Sequence, residues 1–442
     1  MKPSDLVFGS FGRSRRLALR FPSLLGCLFS RESMGEGIWK PTERIAKGQG
    51  TMLFGIWRGC HELEEAAPGA KGAAMDVYLA HEDSLKMLRY ARREEGLILV
   101  PAGAASSDPA RHRLSSELLS RALPRDLFSL SRINPVSLRS PDAARRSQCA
   151  VVRSSPNLAS LPGGSYLEVL HTEGSPLFVG PGEVVHVFVE AAGLVMLSGA
   201  CLLNRAVREG RVTRLAAFLR LVALGMELCG SYARDPLRPG VGDICYGLLP
   251  VSSSAELAPL VRELGGMHGA VLARRAATYV NDGSGSTMET LWYLALCLPP
   301  RYGGVGLERP LQNVPVEWPA SMRALSCHRR LTPDFYWPRY KSVGEYDSGL
   351  HKSDQAFYED RNRAKDYGLL GLAYFPLTDL DTVDAAAMKQ SICQLVAHFK
   401  KYEGAAFGRK MGRLLNSAEL DEARDVLRAT LLPPRGRWSE DM

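Results

Sequence analysis

Between 331 and 347 the chain reads LTPDFYWP, a turn over 339–341, and SVGEYD. Aromatic and β-branched residues on either side of a Pro-containing break predict two adjacent strands. Side chains alternate along a strand, so Glu345 and Asp347 share one face and Tyr346 takes the other. The unit therefore brings Asp334, Glu345 and Asp347 onto neighbouring strands, with Asp334 opposite Glu345. Carboxylates gathered at one sheet end repel each other unless a divalent cation neutralises them, and Mg²⁺ accepts carboxylate oxygens plus retained waters. A cation so held can activate water and stabilise charge on a phosphodiester during in-line displacement. His351, four residues beyond Asp347, could fold back as a general base or polarise the scissile phosphate. Its other reading is an exposed histidine near a helix start.

The surrounding pattern predicts a helix over 287–298, strands over 311–317, 331–338 and 342–347, a helix over 353–367, a strand over 369–375 and a core helix over 384–400. This is an α/β arrangement in the order αβββαβα, a mixed sheet flanked by helices. A chain of 442 residues exceeds one ordinary core, so two or three units are expected. The glycine and serine cluster NDGSGS at 281–286 reads as the linker. Before it, 75–280 reads as an α+β domain in a recognition or regulatory role, with strands over 166–170, 177–179 and 184–189 and helices over 212–229, 255–264 and 266–280. Helical order is expected to begin at Met75. The irregular stretch 1–74 reads as disordered or as lying upstream of the true start, and 406–442 as a helical or flexible tail after a domain over 281–405.

A net charge of +8 suits a phosphate-bearing partner, since clustered Lys and Arg release counterions from a nucleic acid backbone. The nine cysteines show no paired zinc-type spacing and most read as buried small hydrophobes in a reducing cytoplasm, and Cys327 beside His328 lacks a matching second pair. No run of apolar residues is long enough to span a membrane, and 13–30, basic then leucine-rich, reads as non-targeting.

The segments STMETLWYL (286–294), LTPDFYWP (331–338), VGEYDSGLH (343–351), FYEDRNRAKDYG (357–368) and GLAYF (371–375) resemble, in order, the motifs of the very-short-patch-repair-like branch of the bacterial PD-(D/E)XK endonucleases. The resemblance implies a restriction-endonuclease-like core and a site for Mg²⁺ or Mn²⁺ at Glu289, Asp334, Glu345 and Asp347. It implies catalytic roles for Asp334, Glu345, Asp347 and His351, and matches the helix pattern Asp360 to Arg363. Two positions depart from it: Asp347 stands where the general superfamily expects a lysine, which the branch resembled here often lacks, and Ser348 where the branch usually has glycine.

Glu289 keeps two readings, because Ser286 to Glu289 also fits a capping box in which Glu289 binds its own helix terminus. Arg361 and Arg363 could clamp a phosphate. They could equally be exposed helix charges, with Glu359 and Arg363 as an i,i+4 pair. The implied activity is a metal-dependent DNA endonuclease or nickase. The alternative is a non-catalytic DNA-binding regulator or antitoxin on the same fold, and a nuclease acting on RNA is a third possibility. Nothing in the sequence identifies a protein partner or a homodimer.

Overall fold

The structure, a computed structural model, describes residues 73–102, 121–128, 161–181, 183–347 and 354–432. His351, Ser348, the stretch 1–72 and the end of the tail from 433 lie outside these described residues.

The first sheet contains β1 (Ala73–Tyr78), β2 (Leu97–Pro101), β3 (Tyr166–His171), β4 (Phe178–Gly180) and β5 (Glu183–Glu190). Its order is β1-β5-β3-β2, with β4 also on β5; β1 runs parallel to β5, and the other pairs are antiparallel. Met75 is paired with Val185 in β1, so the expectation of helix from Met75 is corrected. Helix α1 begins only at His81 (His81–Arg93). The four residues Met75 to Tyr78 have a helix-compatible pattern locally, and a strand contributed by residues more than a hundred positions away overrides it. Helices α2 (Ala192–Arg208) and α3 (Arg214–Leu228) follow. The first of these had no counterpart in the sequence reading; the second matches the helix expected over 212–229, and its residues from Ala217 to Leu228 are buried apart from Arg220.

A short hairpin, β6 (Tyr232–Ala233) with β7 (Cys245–Tyr246), precedes α4 (Ser254–Glu263) and α5 (Ala270–Ala277). The 281–286 stretch, expected as a linker, is packed. Ser231 N–H donates to Ser284 O, Gly283 N–H donates to Cys229 O, and Ser284 is fully buried. Gly230 is required there, because a Cβ would lie 2.4 Å from Ser284 O.

Next come α6 (Thr287–Cys297), β8 (Phe335–Trp337), β9 (Ser342–Asp347), α7 (Asp354–Leu369), β10 (Ala373–Thr378), α8 (Asp379–Val383), α9 (Ala385–Leu415) and α10 (Ala418–Leu431). The sheet order is β10-β9-β8, with β9 and β10 parallel and β8 antiparallel to β9, so the architecture is mixed α/β with sheets flanked by helices. The strand expected over 311–317 is absent. Two isolated bridges, Leu311 to Tyr336 and Val316 to Leu331, stand in its place. Pro315 has no N–H to donate, and Asn313 adopts φ 51, both of which break a ladder. The strand expected over 369–375 is shifted towards the C-terminus: α7 continues to Leu369 and turns at Gly371, with φ 68. Helix α9 runs past 400 with a break at Gly404.

One hydrophobic core runs from Val77 to Leu431, taking in Met87, Leu221, Trp292, Phe335, Phe399 and Leu427. A smaller core of Val316, Trp318, Leu331, Val343 and Tyr367 lies on the other face of β8–β10. Among the described cysteines Cys229 is buried, Cys327 is exposed and the rest are intermediate, so general burial is not observed. No described helix is long and apolar enough to cross a membrane.

Within the larger core Arg89 grips Glu227 through two 2.8 Å hydrogen bonds, with Arg234 3.7 Å from the same carboxylate. Burial alone would raise the Glu227 pKa, but the charge and hydrogen bonds of Arg89, then Arg234, outweigh it and pull the group from 4.5 down to about 2. A depressed carboxylate contributes stability above its unfolded pKa. That contribution should be present above pH 4.5 and lost as pH falls towards 2. Arg89→Ala leaves buried Glu227 with only the more distant Arg234 side chain and should cost about 3 kcal/mol in urea unfolding at pH 7.

Candidate active site

Phe335, Trp337, Phe375 and Leu377 pack towards the larger core, whereas Tyr336, Val343 and Tyr374 pack towards the smaller one. Alternation from these residues places Asp334, Glu345 and Asp347 on the second face, under α7. Phe335 pairs with Gly344, so Asp334 stands one step on, beside Glu345, and its Oδ2 accepts from Tyr346 N–H at 2.7 Å. The expected convergence of Asp334 with Glu345 is therefore observed.

Glu345 is 5% exposed and has both oxygens engaged: Oε2 accepts from Arg363 Nη1 at 2.7 Å, and Oε1 from the Tyr367 hydroxyl. Arg363 and Tyr367 are spaced i,i+4, so one face of α7 delivers both groups. Their Glu345 contact corrects the expected Glu359–Arg363 pair, since Glu359 instead contacts His328 Nε2 at 3.0 Å. His328 Nδ1 lies 2.8 Å from Asp366, and Asp366 also accepts from the Cys327 and His328 amides, fastening this loop to α7.

Glu289 is delivered by the first turn of α6. Ser286 Oγ accepts from Glu289 N–H, but the Glu289 carboxylate does not close the reciprocal half of a capping box. Its Oε2 accepts from Gly285 N–H and from Asn313 Nδ2, each at 2.7 Å, so its position is set jointly by the helix start and by the loop before β8. Burial raises the Glu289 pKa, opposed by these hydrogen bonds.

The charges of Glu289 and Glu345 both reach Asp334. Desolvation leads, Glu289 follows, the Tyr346 amide opposes, and Glu345 adds further repulsion; the result lifts Asp334 from 3.8 to about 8 despite Arg363. Two buried carboxylates, Glu289 from α6 and Glu345 from β9, and the half-buried Asp334 at the edge of β8 thus form one electrostatic unit with Arg363. Asp347 is half-buried on the same face, and its charge reaches the Tyr346 and Tyr374 phenols. Asp360 also acts on Tyr374. Arg361 is exposed, and two residues' separation on a helix turns it away from Arg363.

Oxygen-only donors and uncompensated negative charge fit a hard divalent cation in donor type and charge. Among the described residues, however, no three His, Cys, Asp or Glu side chains are gathered as a set able to hold a metal ion. Arg363 and Tyr367 already engage the Glu345 oxygens that such an ion would need.

Asn313 and Tyr367 were not singled out from the sequence. Tyr367 could have been found from its spacing to Arg363, whereas Asn313 had no signal beyond a polar residue between prolines. No protein-family model, curated protein or solved structure matches this chain.

A carboxyl group whose folded pKa is raised holds a proton that the unfolded chain gives up. Stability from Asp334 is therefore full below pH 3.8 and lost as pH rises through about 8. Asp334→Asn should gain on the wild type by about 2–4 kcal/mol between pH 5 and pH 8 in denaturant titrations. Equal pH dependence in the two proteins would show that Asp334 ionises normally.

Proposed function

We propose that the chain is a metal-dependent endonuclease or nickase that hydrolyses DNA phosphodiester bonds. The observation that carries this reading is the gathering of buried Glu289 and Glu345 with half-buried Asp334 into one group in which each glutamate repels Asp334. Such an arrangement raises Asp334 to about 8 and is costly unless a cation relieves it. The ordered resemblance of the five segments from 286 to 375 supports the nuclease reading, and the net charge of +8 suits a polyanionic substrate.

On this reading the carboxylates offered to Mg²⁺ or Mn²⁺ are Glu289, Asp334 and Glu345, with Asp347 on the sheet face of the latter two; they would form a set only after drawing closer and after Arg363 and Tyr367 release Glu345. Bound there, the ion would supply Lewis acidity and an activated water for in-line displacement. Asn313 and the Gly285 amide fix Glu289, while the Tyr346 amide fixes Asp334. Tyr367 orients Glu345 from the opposite side of the Arg363 contact. Arg363, 42% exposed at its side chain, can exchange Glu345 for a phosphate oxygen without leaving the site.

Purified protein with Mg²⁺ should nick or linearise plasmid DNA. Asp334→Ala and Glu345→Ala should lower that rate at least a hundredfold, by analogy with the loss of a principal electrostatic group, roughly 10²–10³ in rate. Arg363→Ala should retain metal binding and lose DNA cleavage more than tenfold. Absence of cutting with either Mg²⁺ or Mn²⁺ across duplex, nicked and mismatched DNA would defeat the reading.

The Arg363–Glu345 contact favours one other reading, a non-catalytic DNA-binding regulator in which arginine supplies the charge that a metal supplies in a nuclease. In that case Asp334→Ala should bind DNA as tightly as the wild type, and neither protein should cut.

A further inference from the structure

The hairpin of β6 and β7 exposes an unusual set of side chains. Leu237 and Val241 are more than half-exposed or nearly so, Tyr246 is 59% exposed and Leu249 is 87% exposed. Four large apolar side chains exposed on one short segment of chain mark a candidate contact surface.

This loop is fixed in place. Asp235 Oδ1 accepts from the Leu237 and Arg238 amides at 2.8 and 2.6 Å. Arg92 Nη2 donates to Gly230 O and Leu249 O, each at 3.0 Å, and Arg93 Nη1 donates to Asp243 O at 2.6 Å. The Leu248 amide donates to Ser231 O at 2.8 Å. Gly242 packs so closely on Asp235 that a Cβ would lie 2.3 Å from the Asp235 Cβ. A surface already ordered in this way loses little entropy on binding.

The loop also adjoins the carboxylate site. The Glu289 charge reaches the Tyr246 phenol and, after burial, raises its pKa. Behind it the Tyr232 hydroxyl meets Thr290 Oγ1 at 3.0 Å, one residue from Glu289. Arg238 is exposed on the same loop.

We infer that this loop is a stacking platform for unpaired bases of the strand being cut, with Tyr246 as a positioning residue and Leu249 as its apolar neighbour. This inference rests on the proposed nuclease reading. A flat aromatic ring and a leucine side chain match the faces of bases, and the adjoining carboxylates would take the phosphodiester. Stacking tolerates every base because each presents a π-face, so the platform sets where the strand lies and leaves its sequence unread. Tyr246 pairs with Tyr232, which bonds Thr290 beside Glu289, so a strand held at that carboxylate has this ring in its neighbourhood, and a protein partner would gain nothing from that proximity.

The test uses full-length protein in the Asp334→Ala background, which prevents cutting, with a fluorescent oligonucleotide carrying a single-stranded gap and a fully paired control. Tyr246→Ala with Leu249→Ala should weaken gapped-DNA binding by roughly 5- to 150-fold and leave paired-DNA binding within about twofold. Tyr246→Phe, which keeps the ring, should bind as the parent does, and the slope of affinity against salt should be unchanged because no phosphate contact is removed. Circular dichroism and thermal melting check that the double variant folds. If it fails to fold, Tyr246→Ala alone carries the same expectation.

Equal weakening on paired DNA, or loss in Tyr246→Phe, would overturn the stacking role. Unchanged binding in the double variant, with normal Mg²⁺-dependent cutting by the otherwise wild-type protein, would overturn the platform while leaving the nuclease reading standing. Failure of the wild type to bind or cut any DNA would remove both, and a shift to monomer in the double variant alone would assign the loop to self-association instead.

Discussion

Helix α6 is apolar on every side, and its residues from Glu289 to Leu296 are all buried. A helix with no solvent face needs neighbours all round it, and α3, α10 and the β8–β10 region supply them. Trp292 donates to Thr382 Oγ1 at 2.8 Å, and Thr290 accepts or donates to both Tyr232 and Ser284. Each buried aromatic or leucine side chain contributes roughly 1.5–3 kcal/mol, so this helix is among the most heavily stabilised parts of the fold. Enclosure of α6 is what draws residues before 281 and residues after 300 into one core.

That enclosure has an electrostatic consequence. Glu289 sits at the start of a helix that must be buried, so its carboxylate is buried with it. The backbone of Gly285 and the amide of Asn313 make its location tolerable, but they do not neutralise it. Asp334 and Glu345 join it from the sheet. Arg363 is the nearby cation and balances only one of the three charges directly. The fold therefore retains an unfavourable grouping of like charges.

The buried Arg89–Glu227 pair performs the opposite task. Its charges are matched, and Arg92 extends the network to the carbonyls of Glu227, Gly230 and Leu249. These hydrogen bonds fix the hairpin of β6 and β7 in one place beside α6. An arginine-rich cluster thus holds the hairpin, while the carboxylates of Glu289, Asp334 and Glu345 keep an excess of negative charge.

The sequence by itself determined what rests on short-range periodicity: the β8–β9 unit, the shared face of Asp334, Glu345 and Asp347, and the helices α3 and α6 to within a few residues. These follow because alternation and helical repeat act between near neighbours. Tertiary structure decided that Met75 enters a parallel strand, that 311–317 makes bridges rather than a strand, and that 281–286 is packed between neighbours. It also decided that Arg363 turns to Glu345 rather than Glu359, and that Asn313 holds Glu289. Each of these joins residues distant in sequence, and no local pattern encodes which partner will be closest once the core has formed.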